Sequence, residues 1–224
     1  MSNEIKGKAK EEEKKESISI KVTMIGDVGV GKTCIVNRFI NDEFDSSETS
    51  TTGANYSKLD LFINNKKINL DVWDTAGQEK FRSIGRHFYK NSNIIVIVYD
   101  ATKKETFEDI KNYWYNDVKE NAERYKVIGI VGNKIDLYDK EGIEEVDDDI
   151  VQTFIDQIKN DKDSRIVEMK VSAKSGINIK NLFNEMIKQY LDKEFNILIN
   201  NEYSKQGKNV KLKKGKKKKE KCCG

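Results

Sequence analysis

The sequence predicts a doubly wound α/β domain: a six-stranded, mostly parallel sheet with one antiparallel edge strand and helices on both faces. Three observations carry this. The stretch Gly26-Asp27-Val28-Gly29-Val30-Gly31-Lys32-Thr33 fits G-x-x-x-x-G-K-[ST] and stands between a strand pattern and a helix pattern. Short apolar runs at Ile94–Tyr99 and Val127–Val131 read as strands buried on both faces, as in a parallel sheet. After one hairpin, strand and helix patterns alternate along the rest of the chain. A length of 224 residues suits one such domain with tails.

Residues 1–16 are Lys/Glu-rich with almost nothing apolar, and are expected to form a disordered leader to a domain over 17–200. Ile18, Ile20, Val22 and Met24 alternate with Ser19, Lys21 and Thr23, the period of a strand over about 18–25. Past the glycines, Ile35, Val36, Phe39 and Ile40 fall at helical spacing, for a helix over about 32–41. Residues 42–53 are polar and aperiodic, the mark of a long mobile loop. Tyr56–Ile63 and Lys67–Trp73 alternate around Asn64-Asn65, a hairpin signal. A helical stretch to about Asn91 follows. Thr102-Lys103-Lys104-Glu105 reads as a capping box for a helix with Phe107, Ile110 and Trp114 on one face. Ile150, Val151, Phe154, Ile155 and Ile158 mark a further helix, Ile166–Val171 the last strand, and Leu182–Leu198 the last long helix.

Strand, glycine loop and helix together make an anion site. Glycines let successive N–H groups of residues 27–34, Asp27 through Cys34, turn toward a phosphate, and the positive end of the helix faces it. Lys32 would reach the β- and γ-phosphates and the Thr33 hydroxyl would ligate Mg²⁺. Asp74-Thr75-Ala76-Gly77-Gln78, closing the second hairpin strand, supplies what such a loop lacks. Asp74 can hold Mg²⁺ through water, the Gly77 N–H can approach the γ-phosphate, and Gln78 can orient a water for in-line attack. Thr51 offers a second hydroxyl to the metal. A loop and a turn that both contact the γ-phosphate lose those contacts on hydrolysis, which makes them a switch. Asn133-Lys134-Ile135-Asp136 follows a buried strand. The Asp136 carboxylate can accept from N1–H and the exocyclic amine of guanine, and adenine has no such pair. Asn133 would help fix the base, Lys134 would lie along its ring, and Ala173 of Ser172-Ala173-Lys174 can donate its N–H to the base O6. An ATPase or a kinase is disfavoured by Asp136.

With these motifs in order, the chain resembles the Ras-like small GTPases, a P-loop NTPase G domain, and most of all the Rab family. The likeness covers about residues 18–200 and extends beyond the nucleotide motifs to Ser50–Tyr56, to Val72–Ile84 and to Val98-Tyr99-Asp100-Ala101-Thr102. It implies a GTP-hydrolysing switch in vesicle traffic, with GTP/GDP and Mg²⁺. Phe44 would touch the guanine ring, and Tyr56, Trp73 and Phe88 would form the surface read by effectors. The implied partners are an exchange factor, a GTPase-activating protein, a GDP-dissociation inhibitor or escort protein, and effectors, around a monomeric G domain. Three departures stand out. Val28 occupies a position usually small in the family, where it can crowd Gln78 or an incoming arginine, so slow turnover is expected. Glu48 stands where the family usually has tyrosine. The acidic segment from Asp139 to Asp163 is long for its place, and reads as a solvated helix with long loops. Two alternatives are a GTP-binding scaffold with very slow hydrolysis, motivated by Val28, and a Rho-like GTPase, motivated by the acidic segment. Asn133 and the effector-loop string argue against the second.

Composition agrees with a globular body and charged tails: 37% hydrophobic and 35% charged residues, with no proline. No apolar run approaches a membrane span, no signal-peptide pattern opens the sequence, and three cysteines give no disulfide framework. The setting expected is the cytosol. Lys205–Gly224 holds ten lysines and one glutamate, so +9 of the overall +3 sits there and −6 remains for the rest. A flexible polybasic tail over 201–224 with Cys222 and Cys223 resembles the doubly geranylgeranylated Rab ending, and is not a C-a-a-X box. It implies anchoring at the cytoplasmic face of an intracellular membrane, cycling with the cytosol, and no nucleic acid.

Overall fold

A computed structural model describes residues 17–63, 66–77, 82–138, 146–159 and 165–207, with residues 82–85 and 194–207 described by backbone alone. The 1–16 leader, the Asn64-Asn65 turn, Gln78, parts of the acidic 139–163 segment, residues 208–224 and with them Cys222 and Cys223 lie outside the described residues. The chain divides into two units, Met1–Tyr190 and Leu191–Gly224. In the second, the described backbone is helical to Gly207.

Six strands form one sheet: β1 (Ser17–Gly26), β2 (Ala54–Ile63), β3 (Lys66–Thr75), β4 (Ile94–Asp100), β5 (Val127–Asn133) and β6 (Arg165–Lys170), in the order β2-β3-β1-β4-β5-β6. Every pairing is parallel except that of the edge strand β2 with β3. The fold class expected from the sequence is the one observed. β2 and β3 pair from Ala54↔Thr75 to Ile63↔Lys66, the register of a hairpin with a two-residue connection. The helices are α1 (Lys32–Asn41), α2 (Arg82–Tyr89), α3 (Lys104–Asp109), α4 (Tyr115–Asn121), α5 (Asp148–Ile158) and α6 (Ile179–Gly207). A π-helical turn, Ile110–Trp114, joins α3 to α4.

β4 and β5 are buried at every position, as their unbroken apolar runs require. Alternate residues serve the two faces of the sheet. Ile95, Ile97, Tyr99, Ile128 and Ile130 belong to a core with Phe107, Ile110, Trp114, Phe154 and Ile158 from α3, the π turn and α5. Each such fully buried side chain contributes about 1.5–3 kcal/mol. On the other face, Gly129 leaves room for Met186 of α6, whose sulfur would lie 2.9 Å from an added Cβ. There Phe39 of α1 stacks on Phe183 at 3.7 Å between centroids.

The capping box is not formed. The N-cap of α3 is Lys103, with no side-chain cap. Thr102 instead gives its hydroxyl and its N–H to Asp100 Oδ1, at 2.7 and 3.1 Å. A carboxylate two residues back offers Thr102 a closer acceptor pair than the helix does, so a local turn wins over the cap.

The parallel registers Met24↔Asp74, Gly26↔Val98, Asp100↔Asn133 and Gly132↔Lys170 bring the carboxyl ends of five strands to one edge. β3 and β4 lie on opposite sides of β1, so the chain reverses its winding direction beside the loop that follows β1. In such sheets ligands bind at that point.

Candidate functional site

The loop after β1 enters α1 through Gly29 and Gly31 at φ of 74° and 96°, values that favour glycine. Lys32 turns back into this loop, its Nζ donating to the Gly26 and Asp27 carbonyls at 2.9 and 2.7 Å. It is 5% exposed. Burial pulls its ammonium down to about 8, against the opposing pull of the Asp74 and Asp27 charges. Gly31 has a second reason to be glycine, since an added Cβ would lie 2.3 Å from Asn133 Nδ2.

Three oxygen-bearing side chains from three segments meet beside this loop. The Thr33 hydroxyl donates to Asp74 Oδ2 at 2.7 Å and lies 2.8 Å from the Thr51 hydroxyl. Asp74 Oδ1 is buried and has no hydrogen-bond partner. Burial raises the Asp74 carboxyl above the usual carboxylate range, with the Thr33 bond and the Lys32 charge opposing. An orphaned buried carboxylate oxygen next to two hydroxyls fits a hard cation such as Mg²⁺. Among the described residues no group of three His, Cys, Asp or Glu could hold a metal alone. A cation held here would need further ligands from water or from a bound anion, the habit of Mg²⁺. Gly77 packs directly on the loop, where an added Cβ would fall 2.3 Å from the Asp27 carbonyl carbon and 2.5 Å from the Val28 nitrogen. Val28, Gly29, Gly31, Lys32, Thr33, Cys34, Thr51 and Gly77 line this side of the cleft, together with Glu48. Val28 is 48% exposed there. The Cys34 thiol is free and is pushed up by burial and by the Glu48 charge.

The adjoining half of the cleft is lined by Phe44, Glu48, Asn133, Lys134, Asp136, Ala173 and Lys174. Asn133 is 2% exposed and joins three loops. Its Nδ2 donates to the Val30 carbonyl at 2.9 Å, and its Oδ1 accepts from the Ala173 N–H at 3.0 Å. That N–H, expected to face a base oxygen, is thus held by Asn133 in this structure. Ser172 is fully buried and does not line the cleft; its hydroxyl donates to Asp136 Oδ1 at 2.6 Å and orients that carboxylate. Lys134 takes the left-handed conformation, φ 73°, and its Nζ pairs with Asp100 Oδ2 at 2.6 Å.

Tyr56, Trp73 and Phe88 form one row outside the cleft, with ring centroids 5.1 and 5.3 Å apart. Tyr56 is 51% exposed and none of the three is buried. The sequence reading missed three braces. Asp100 stood in a quoted stretch without a role. Arg38 supports the last loop by donating to the Ala173 and Lys174 carbonyls, both at 2.9 Å. Trp114 donates to Asp27 Oδ1 at 2.9 Å. These braces join residues 34 to 136 positions apart, and only the pairing of strand ends, not local spacing, predicts them.

Comparison with known proteins agrees with this geometry. The sequence model of the Ras family matches residues 21–192. The chain is 36% identical over 178 residues to the human Ras-related protein Rab-22A, covering 80% of this chain and 87% of the relative. It is 36% identical over 171 residues to Ras-related protein Rab-13 of Mesocricetus auratus, covering 76% and 79%. It is 33% identical over 180 residues to the Ras-like GTP-binding protein RYL2 of Yarrowia lipolytica, covering 80% and 84%. The chain belongs to the Ras family and is a Rab-like small GTPase, an enzyme that hydrolyses GTP.

Proposed function

We propose that this protein is a membrane-traffic switch whose GTP state recruits effectors and whose GDP state releases them. The observation that carries the reading is the meeting of two separate segments at the phosphate loop: Thr51 at 2.8 Å from Thr33, and Gly77 against Asp27 and Val28. Thr51 and Gly77 would hold the γ-phosphate side of the nucleotide, and its loss would free both segments. Lys32 and the loop N–H groups would bind the phosphates. Asp136, held by Ser172, would select guanine, and Phe44 and Lys134 would cover the ring. Thr33, Thr51 and Asp74 would hold Mg²⁺, which when bound neutralises charge on the phosphate oxygens. Gln78, outside the described residues, would position the attacking water.

Tyr56, Trp73 and Phe88 would present the effector surface. Cys222 and Cys223 would carry two prenyl chains beside the lysines of the tail, for which an escort protein and a GDP-dissociation inhibitor would be needed. Exchange factor and GTPase-activating protein complete the cycle, on the cytoplasmic face of an intracellular membrane. No helix among the described residues is long and apolar enough to cross a membrane, and attachment rests on the tail in this reading. A second reading, a scaffold that retains GTP, is favoured by Val28, whose branched side chain lines the phosphate side of the cleft.

Single-turnover hydrolysis of GTP by the purified chain, with ATP as control, tests both. Slow, Gln78-dependent conversion of GTP to GDP is expected. GTP that persists even with a GTPase-activating fraction selects the scaffold, and absence of guanine nucleotide sinks the base assignment to Asp136.

A further inference from the structure

The run from α3 to α4 carries a feature that the nucleotide motifs leave unexplained. Its middle is the π-helical turn Ile110–Trp114. An i→i+5 turn takes in one residue more than an α turn, so it re-aims the side chains beyond it, and such turns concentrate at functional sites. Trp114, at the end of this turn, is 3% exposed. Its indole N–H donates to Asp27 Oδ1 at 2.9 Å. A buried indole N–H requires a partner, and a carboxylate is a strong one.

Asp27 is where three segments converge. Its carbonyl accepts from Lys32 Nζ at 2.7 Å, and the space that a side chain on Gly77 would need is filled by its carbonyl carbon and oxygen at 2.3 and 2.4 Å. Three residues past Trp114, Asp117 is 5% exposed. It holds α2 through Arg86 Nη2 at 2.7 Å and through the Tyr89 hydroxyl. One helical segment thus grips both the phosphate loop and the helix that follows Gly77.

We propose that Trp114 is a positioning residue for GTP binding and turnover: its indole N–H fixes the Asp27 backbone against which Lys32 and Gly77 are both set. The inference rests on reading this cleft as the nucleotide site. It is tested on the full chain by comparing GDP dissociation, single-turnover GTP hydrolysis and thermal melting in Trp114→Phe, Asp27→Ala and the double variant. Trp114→Phe is expected to speed GDP release by on the order of tenfold, as for loss of a hydrogen bond to a charged group. Asp27→Ala also speeds release, and the double variant releases GDP no faster than the faster single, because Trp114 acts through the Asp27 carboxylate and has nothing to act on once it is gone. A merely structural tryptophan would lower the melting temperature and multiply with Asp27→Ala. Trp114→Phe within twofold of the parent, or effects that multiply, would overturn the proposal. Should phenylalanine unfold the chain, 3-benzothienylalanine at position 114 keeps the ring shape without the N–H and is judged by the same criteria. A parent protein that retains GDP keeps the site reading intact whatever Trp114 does, and one that retains none overturns both.

Discussion

Lys32 holds a positive charge in a place that resists it. Its ammonium is pulled to about 8, from an ordinary 10.5, chiefly by burial. Between those two values the unfolded chain binds a proton that the folded chain lacks, so the stability of the free protein rises with pH across that window. The full difference is worth about 3 kcal/mol. Phosphate binding runs the other way, because it needs the charged ammonium. Affinity for GDP is therefore expected to hold below pH 8 and to fall above it, by up to about tenfold per pH unit. Titration of GDP at fixed Mg²⁺ between about pH 7 and pH 9 measures this, with Lys32→Arg as comparator because arginine keeps its charge throughout. A wild-type slope no steeper than that of Lys32→Arg would show that the ammonium does not titrate in this range.

The phosphate loop is an element with most of its geometry fixed by other elements. Gly26 would place a Cβ 2.2 Å from the Val98 carbonyl of β4, Gly31 meets Asn133, and Gly77 meets Asp27 and Val28, so the loop backbone cannot shift easily. The Val28 side chain, at 48% exposure, lines the phosphate side of the cleft, where on the proposed reading an attacking water or a partner's arginine would enter. Val28→Ser is expected to raise single-turnover hydrolysis by about tenfold, since small displacements of a reacting group have effects of that order or more. An unchanged rate in the variant would clear Val28 of the slow turnover assigned to it. The elements themselves were largely legible. β4 and β5 announced themselves by unbroken apolar runs, α1 by its glycine loop and spacing, and the β2–β3 hairpin by alternation around two asparagines. The ends were less so. Asp100 captured Thr102 and displaced the cap by one residue, and the π turn put an extra residue into a helix that spacing alone reads as regular. At the site, the motif residues were legible because each follows a strand in a fixed order. The bond from Ser172 to Asp136 was not legible, because the two residues belong to different loops. Arg38, 135 residues from Ala173, has no local signature at all.

At the scale of the whole molecule, charge is divided as the proposed membrane attachment would need. The tail from Lys205 carries +9 and the rest of the chain −6. An anionic membrane surface attracts the first and repels the second, so electrostatics alone favour approach by the tail. One lipid chain binds membranes only marginally, and stable attachment takes a second chain or a basic stretch. Cys222 and Cys223 with the surrounding lysines would offer both. Each lysine near an anionic leaflet adds about 1 kcal/mol within a Debye length of roughly 8 Å. Replacing Lys216, Lys217, Lys218 and Lys219 with glutamine in the prenylated protein should then weaken binding to vesicles rich in phosphatidylserine by about a thousandfold. Binding to neutral phosphatidylcholine vesicles should stay within a few fold, because the lipid chains are untouched. Replacing both cysteines with serine should abolish binding to the neutral vesicles and leave, on the anionic ones, only the salt-sensitive remainder that the lysines supply. Flotation at about 0.05 and 0.3 M salt separates these contributions. Equal losses on neutral and anionic vesicles for the glutamine variant would mean that the lysines serve the prenylating machinery or a protein partner, and that the membrane does not read their charge.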